Sequence, residues 1–298
     1  MTFTENIGRR WSGYIIYALM MIMFFLYLLF PVQQFKSFST DLINRLFPGH
    51  VTTVDSWRYQ FPLTLVVTNL QLQARKQVIE ADKANIILQQ ATITPSLRSR
   101  GKTFFINITA YGGSHQATLE FDRRRQTFSL PTIEIKDLDL AKLSWLQNNA
   151  RRDISGLLTA TGSYAGKKGR GLSGGTGRGK VQLKNGTIKL LYPILSLENI
   201  DVKNGDSIIE LQDQKLLLTQ GQFSGEELEG TFTGQVDLRG PSLADMQLDL
   251  SGTLMPLPPL LQKNKQAQTL LIQLQQNQST LPFQLKGTIG QPIFLSDS

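Results

Sequence analysis

The chain has no cysteine among its 298 residues and only two histidines, His50 and His115. The first absence excludes disulfides and thiolate metal sites, and it is compatible with a periplasm without requiring one. The second leaves little for imidazole chemistry. The two histidines are far apart in sequence, and neither has a His-x-x-x-His partner or a serine-centred elbow nearby. Both read as solvated or capping residues. Charged residues make up 18% of the chain, and the carboxylates are scattered, so no Asp/Glu-rich loop offers a calcium site. Asp137 and Asp139 share strand parity, but the neighbouring Leu138 and Leu140 explain that alternation without chemistry. No catalytic, cofactor-binding or metal-ligating residue is expected, and no enzymatic activity.

Long apolar runs are scarce as well, with one exception. Trp11 to Phe30 (WSGYIIYALMMIMFFLYLLF) contains no charged residue. As a helix it would rise about 30 Å, the hydrocarbon thickness of a bilayer. Trp11, Tyr14 and Tyr17 gather near its entry and Tyr27 and Phe30 near its exit, where amphipathic rings reach the headgroups. A secretory signal has an apolar core of roughly 7–15 residues and then a small-x-small cleavage site. This core is longer, and Pro31-Val32-Gln33-Gln34-Phe35 supplies no such site. The run therefore reads as an uncleaved single-pass anchor. Arg9 and Arg10 abut it on the N-terminal side, against Lys36 and Arg45 beyond, which favours a cytoplasmic N-terminus and an exported C-terminal domain.

The chain is basic, with a formal charge of +8 and a pI of about 9.6. Such a surface suits anionic headgroups, an acidic partner or nucleic acid. Nucleic acid is set aside, because an exported, tethered domain seldom meets it and no aromatic-interleaved basic motif occurs. The expected organisation is a cytoplasmic N-terminus (1–10), a membrane helix (11–30), an amphipathic helix (31–49) and a β-rich domain (50–298). In the third segment Phe35, Phe38, Leu42 and Leu46 share one helical face, and Pro48-Gly49 ends it. That face suits either the membrane surface or ordinary core packing.

From Val51 the pattern has period two. Leu63, Leu65 and Val67 alternate with polar or smaller residues, and Leu70 and Leu72 continue after a one-residue phase shift. Ile106-Ile108, Ala117-Leu119-Phe121, Ile133-Ile135, Val181-Leu183, Ile209-Leu211, Leu216-Leu218, Leu248-Leu250 and Phe283-Leu285 repeat it. Turn signals fall at Gly112-Gly113, Asp122 to Gln126, Asn185-Gly186, Asn204-Gly205-Asp206 and Gly240-Pro241, with Asn185-Gly186 the strongest hairpin signal. More than ten strands, each with one apolar face, predict a mainly β fold: a long antiparallel sheet that curls into a half-barrel or groove. Residues 138–152, with helix-like leucine spacing, and 255–278, readable as helix or loop, are expected to interrupt the strands and cover the ends of the sheet as a few short helices. Leu65, Val67, Ile106, Ile108, Leu119, Phe121, Leu248 and Leu250 are the expected lining of the groove.

Gly166 to Gly179 (GKKGRGLSGGTGRG) contains G-x-G-x-x-G and, through Lys180, G-x-x-x-x-G-K. A phosphate loop needs Ser or Thr after that lysine and must open a helix. Val181 follows Lys180, and the next residues alternate as a strand. The segment therefore reads as a basic inter-strand loop that binds no nucleotide. Arg123-Arg124-Arg125 reads as an exposed hairpin tip.

An anchor, then an amphipathic segment ending LINRLFPG, then VTTVDSWRYQFPLTLVVTNLQLQA: this order resembles the N-terminal signature of AsmA-like proteins. DLDLAKLSWLQNNARRDISGLLTATGSYAG is similar to the linker and "G-x-L" strands of that superfamily, and LPFQLKGTIGQPIFL to its closing strand. Within it the chain most resembles the type II secretion system protein N (general secretion pathway protein N) family. The resemblance implies a bitopic inner-membrane protein with a large periplasmic domain and other secretion-system subunits as partners. It brings no catalytic residues. The wider superfamily resembles bridge-type lipid carriers, which implies phospholipid acyl chains as a second class of partner.

Overall fold

The computed structural model describes Tyr17, Ala18, Met20, Met21 and residues 50–60, 64–74, 86–96, 98, 102–122, 124–143, 146–147, 153–167, 174–194, 197–240, 243–263 and 280–296. From His50 onward these form one antiparallel sheet. Its strands are β1 (His50–Gln60), β2 (Thr64–Ala74), β3 (Ile86–Pro95), β4 (Thr103–Ala110), β5 (Gly113–Asp122), β6 (Thr127–Asp139) and β7 (Ile154–Lys167), followed by β8 (Thr176–Ile194), β9 (Leu197–Gln212), β10 (Lys215–Ser224), β11 (Leu228–Asp237), β12 (Gln247–Pro256), β13 (Leu281–Thr288) and β14 (Pro292–Ser296). The strands lie side by side in sequence order, with β1 and β14 at the two edges, so the sheet is open. Each strand pairs with its neighbour in sequence, as short hairpin connections dictate.

Local chemistry sets the turns. Tyr111 (φ 50°) and Gly112 (φ 81°) form the two-residue link between β4 and β5. Asp213 (φ 51°) and Gln214 (φ 61°) do the same between β9 and β10. Two successive positive φ angles make the primed turn whose twist matches paired strands. At the tip between β5 and β6, the Asp122 carboxylate accepts the backbone N–H of Arg124 at 2.9 Å. Arg124 and Arg125 are exposed there, as the sequence suggests.

Two expected turns are not turns. Asn185-Gly186 lies inside β8, and Asn204-Gly205-Asp206 lies inside β9, paired with Lys184, Leu183 and Gln182. Asn185 takes φ 49° within a register shift between β7 and β8. Its left-handed backbone thus builds a bulge instead of reversing the chain.

The expected helix over 138–152 begins later than its leucine spacing implies. Leu138 and Asp139 complete β6, and Leu140–Lys142 form a 3-10 turn. Leu146 and Gln147 are helical, with the Gln147 N–H donating to the Leu143 carbonyl at 3.2 Å; residues 144–145 and 148–152 lie outside the described residues. Asp139 ends the strand because its carboxylate accepts the Ala141 N–H at 3.1 Å. Gln147 then stitches this segment to β7, donating to the Ile154 carbonyl at 2.6 Å and accepting its N–H at 2.8 Å. In the second interruption, Met255 and Pro256 complete β12 and the helix α1 (Pro258–Lys263) follows. The Gly-rich stretch is strand only at its two ends, and residues 168–173 of the link between them lie outside the described residues. Gly166-Lys167 close β7 and Thr176 to Gly179 open β8.

Two packed clusters lie toward opposite ends of the strand order. Val54, Trp57, Val67, Leu70 and Ala91 form one across β1–β3. Leu228 and Leu260 form the other, with Leu197, Phe223 and Leu261 against them. Among the described residues no helix is long and apolar enough to cross a membrane. The expected anchor at 11–30, apart from Tyr17, Ala18, Met20 and Met21, lies outside the described residues, as do Arg9, Arg10 and the amphipathic segment 31–49.

Candidate functional site

The register places one apolar face along the whole sheet. Following Cα partners from edge to edge gives Tyr59, Leu65, Ile93, Ile106, Ala117, Ile133, Gly162, Gly179, Ile209, Leu218, Gly234, Leu250, Leu285 and Phe294. Every strand contributes one residue to this row, and each is apolar, aromatic or glycine. The adjacent row runs Trp57, Val67, Ala91, Ile108, His115, Ile135, Ala160, Val181 and Ser207 across β1–β9. Cross-strand neighbours on one face stabilise a sheet directly, and this face carries them without interruption by charge.

Strands this long lose their alternation unless something resets it. Asp137 (φ 51°), Asn185 (φ 49°) and Gln220 (φ 51°) each sit where the pairing register breaks, absorbing an extra polar residue so that the next large side chain returns to the apolar face. Asn69 (φ 51°) resets the phase without a register break, because it and the facing Asp55 are both skipped in an otherwise continuous β1–β2 ladder. There Asn69 Nδ2 donates to Asp55 Oδ2 at 2.6 Å, locking the opposed irregularities of β1 and β2 together. The phase shift read between Val67 and Leu70 is this residue.

Glycines shape the same face. A side chain at Gly252 would lie 1.9 Å from the Thr231 carbonyl and 2.9 Å from the Phe283 ring. At Gly175 it would meet the Tyr164 hydroxyl at 2.2 Å. The Tyr164 ring therefore covers bare backbone, 5.7 Å from Phe128, and burial pushes its hydroxyl pKa up. This close packing uses glycines of the segment that resembles a phosphate loop. Lys180 itself lies in a strand, paired with Thr161 and Ile208, and its Nζ is 3.8 Å from Asp206 Oδ2.

All eight expected lining residues occupy this face, but in different surroundings. Val67 is 3% exposed inside the first cluster, with Leu65 and Ile108 packed against it. Ile106, Leu119, Leu248 and Leu250 are half-buried, and Phe121 is 40% exposed. The packed ends thus flank a face that remains partly open. α1 covers one end by burying Leu260 against Leu228 and Phe223. The opposite face is polar, with Arg178–Glu210 at 3.2 Å and Gln222 donating to Asp206 at 2.9 Å across strands.

His115 faces the apolar side between Ile108 and Ile135. Its Nε2 is 3.2 Å from the Ala110 carbonyl, and its Nδ1 is buried with no hydrogen-bond partner. The ring is half-buried on this face and tied to the end of β4 through its Nε2. His50 begins β1. Among the described residues no three of His, Asp and Glu gather as a metal site. A 230 Å³ depression beside the Gln220 bulge is lined by Gln222, Thr231, Thr233 and Ser251 among others. It is smaller than the roughly 300–1,000 Å³ of ligand pockets. The signal missed in the sequence is Asp213-Gln214, a primed turn without glycine. No protein-family model, curated protein or solved structure matches the chain.

Proposed function

We propose that this chain is an inner-membrane-anchored, periplasmic accessory subunit of a type II secretion system, built on the AsmA-like plan. The row of apolar residues running through all fourteen strands is the observation that carries this reading. A meander of this kind, entered from an anchor at 11–30 and closed by LPFQLKGTIGQPIFL as β13–β14, follows the order that the resemblance implies. The periplasmic domain acts as a scaffold through contacts with other secretion subunits, with Arg9 and Arg10 holding the N-terminus in the cytoplasm. An alkaline phosphatase fused to the C-terminus should be active in cells. Cross-linking there should recover secretion-system subunits, and loss of the chain should reduce secreted enzymes. An inactive fusion, or unchanged secretion with no subunit recovered, would overturn the reading.

The partly open apolar face favours a second, compatible reading: the sheet curls, and its concave side holds phospholipid acyl chains. Wide open sheets rarely stay flat, and bulges and glycine kinks are the devices that curve them. The bulges at Asp137, Asn185 and Gln220 and the positive-φ Gly156 and Gly234 supply both. Burying a large side chain contributes roughly 1.5–3 kcal/mol, so many half-buried residues on one face are a standing incentive to bind apolar chains. Full-length protein extracted in mild detergent should carry phospholipid by mass spectrometry. Ile106→Asp or Leu250→Asp should reduce that lipid several-fold while the β-rich circular dichroism persists. A lipid-free wild type, with both variants unfolded, would sink the groove and leave the scaffold.

A further inference from the structure

The two edges of the sheet are built differently. β1 carries the exposed charges Asp55 and Arg58, and its ladder with β2 skips the Asp55–Asn69 pair. Charges and such irregularities are among the usual protections of an edge strand against pairing with another chain. β14, PIFLS, has neither: it contains no charged residue and pairs with β13 without a register break. It is also firmly placed. Ile289 N–H donates to the Met246 carbonyl at 3.0 Å and Gly290 N–H to the Ala244 carbonyl at 2.9 Å, tying down the turn before it. Phe294 stacks on Phe283 with ring centroids 5.7 Å apart. On the other face of the same strand Ile293 is 58% and Leu295 44% exposed.

We propose that the outer edge of β14, unpaired among the described residues, pairs with β14 of a second copy of this chain, antiparallel and centred on Phe294. A two-fold axis perpendicular to the sheet then sets Phe294 opposite its own copy and Ile293 opposite Leu295 in both directions. Residues directly opposite in an antiparallel pair point to the same face. The pairing therefore matches aromatic with aromatic on the apolar face and aliphatic with aliphatic on the other. The short strand is self-complementary, as an isologous contact demands. It also extends the row ending Leu285–Phe294 into the second copy without inserting a charge. A head-to-tail contact of β14 with β1 would instead set apolar side chains against the charged, irregular edge. This inference does not depend on the secretion or the lipid reading.

The absence of cysteine gives a clean test with the full-length chain. Phe294→Cys should form a disulfide-linked dimer on mild oxidation, and Arg125→Cys, at an exposed hairpin tip, should not. Adding Ile293→Lys and Leu295→Lys to Phe294→Cys should lower the dimer yield at least five-fold. Both residues are exposed, so single copies should keep their fold by circular dichroism. The proposal is overturned if Phe294→Cys links no better than Arg125→Cys, or if the two lysines leave the yield unchanged. Linkage of Phe294→Cys only when mixed with Thr53→Cys, on β1, would also overturn it in favour of a head-to-tail contact.

Discussion

At the end of β11, Asp237 accepts two hydrogen bonds from Arg239 Nε, at 2.8 and 3.0 Å, and one from Arg239 Nη2. This guanidinium holds the Asp237 carboxyl at about 2, below its ordinary 3.8. The carboxyl is more acidic folded than unfolded, so its ion pair adds stability above pH 3.8 and loses it as pH falls towards 2. The pair is surface-exposed and screened, which keeps the contribution small. Asp237→Asn should lower the urea midpoint near neutral pH, and the gap to wild type should narrow between pH 4 and pH 2. A gap independent of pH would mean that the charge contributes nothing there. Asparagine can still accept the Arg239 backbone N–H, which reaches Asp237 Oδ1 at 3.1 Å, so the variant isolates the ion pair from the turn.

At the scale of the strand, the apolar phase depends on a few polar residues with left-handed backbone. Asn69 is the sharpest case, because its side chain also ties β2 to Asp55. A β-branched residue at positive φ is strained by roughly 1–2 kcal/mol, and the tie is lost as well. Asn69→Val should therefore destabilise the chain by about 2 kcal/mol or more, measured by urea unfolding, while Asn69→Gly should cost clearly less. Equal losses would show that the backbone conformation is not what matters. The same residues explain what could be read in advance. Alternation alone identified most of the strands and the face that the eight expected residues share, because period two is a direct consequence of the pleat. Asn204-Gly205 misled because it runs through β9 in regular pairing on both sides, and Asn185-Gly186 because one dipeptide serves both primed turns and bulges. Only the pairing partner, set by distant strands, decides between them. The leucines from 138 misled only on where this segment starts. Their spacing suits a helix, but Leu138 and Asp139 still belong to β6, and Asp139 caps a 3-10 turn before the helical Leu146 and Gln147. The burial of Val67 against the exposure of Phe121 depends on which parts of the face are covered, and period two is silent on that.

For the whole molecule, the strand order has a mechanical consequence. Each strand pairs only with its sequence neighbours, from β1 to β14, and the two packed clusters share no residue. Such a sheet resembles a repeat array more than a closed core, with stability approximated by a sum of nearest-neighbour terms. Unfolding need not then be all-or-none, and each end can open on its own free energy. Val67 offers a test because it is 3% exposed at the centre of the first cluster. Val67→Ala deletes two buried methyl groups and leaves a small cavity, a loss of about 2 kcal/mol. In hydrogen exchange followed by mass spectrometry, that loss should appear as roughly thirty-fold faster opening of β1–β4, by the usual tenfold per 1.4 kcal/mol. Amides of β9–β12, held by Leu228 and Leu260, should keep their wild-type protection. Leu260→Ala should give the mirror result, loosening β9–β12 and sparing β1–β4. If either substitution accelerated exchange evenly along the chain, the sheet would be one cooperative unit. The clusters would then be coupled through the half-buried residues between them, with Ile133, Val181 and Ile209 as the first places to look.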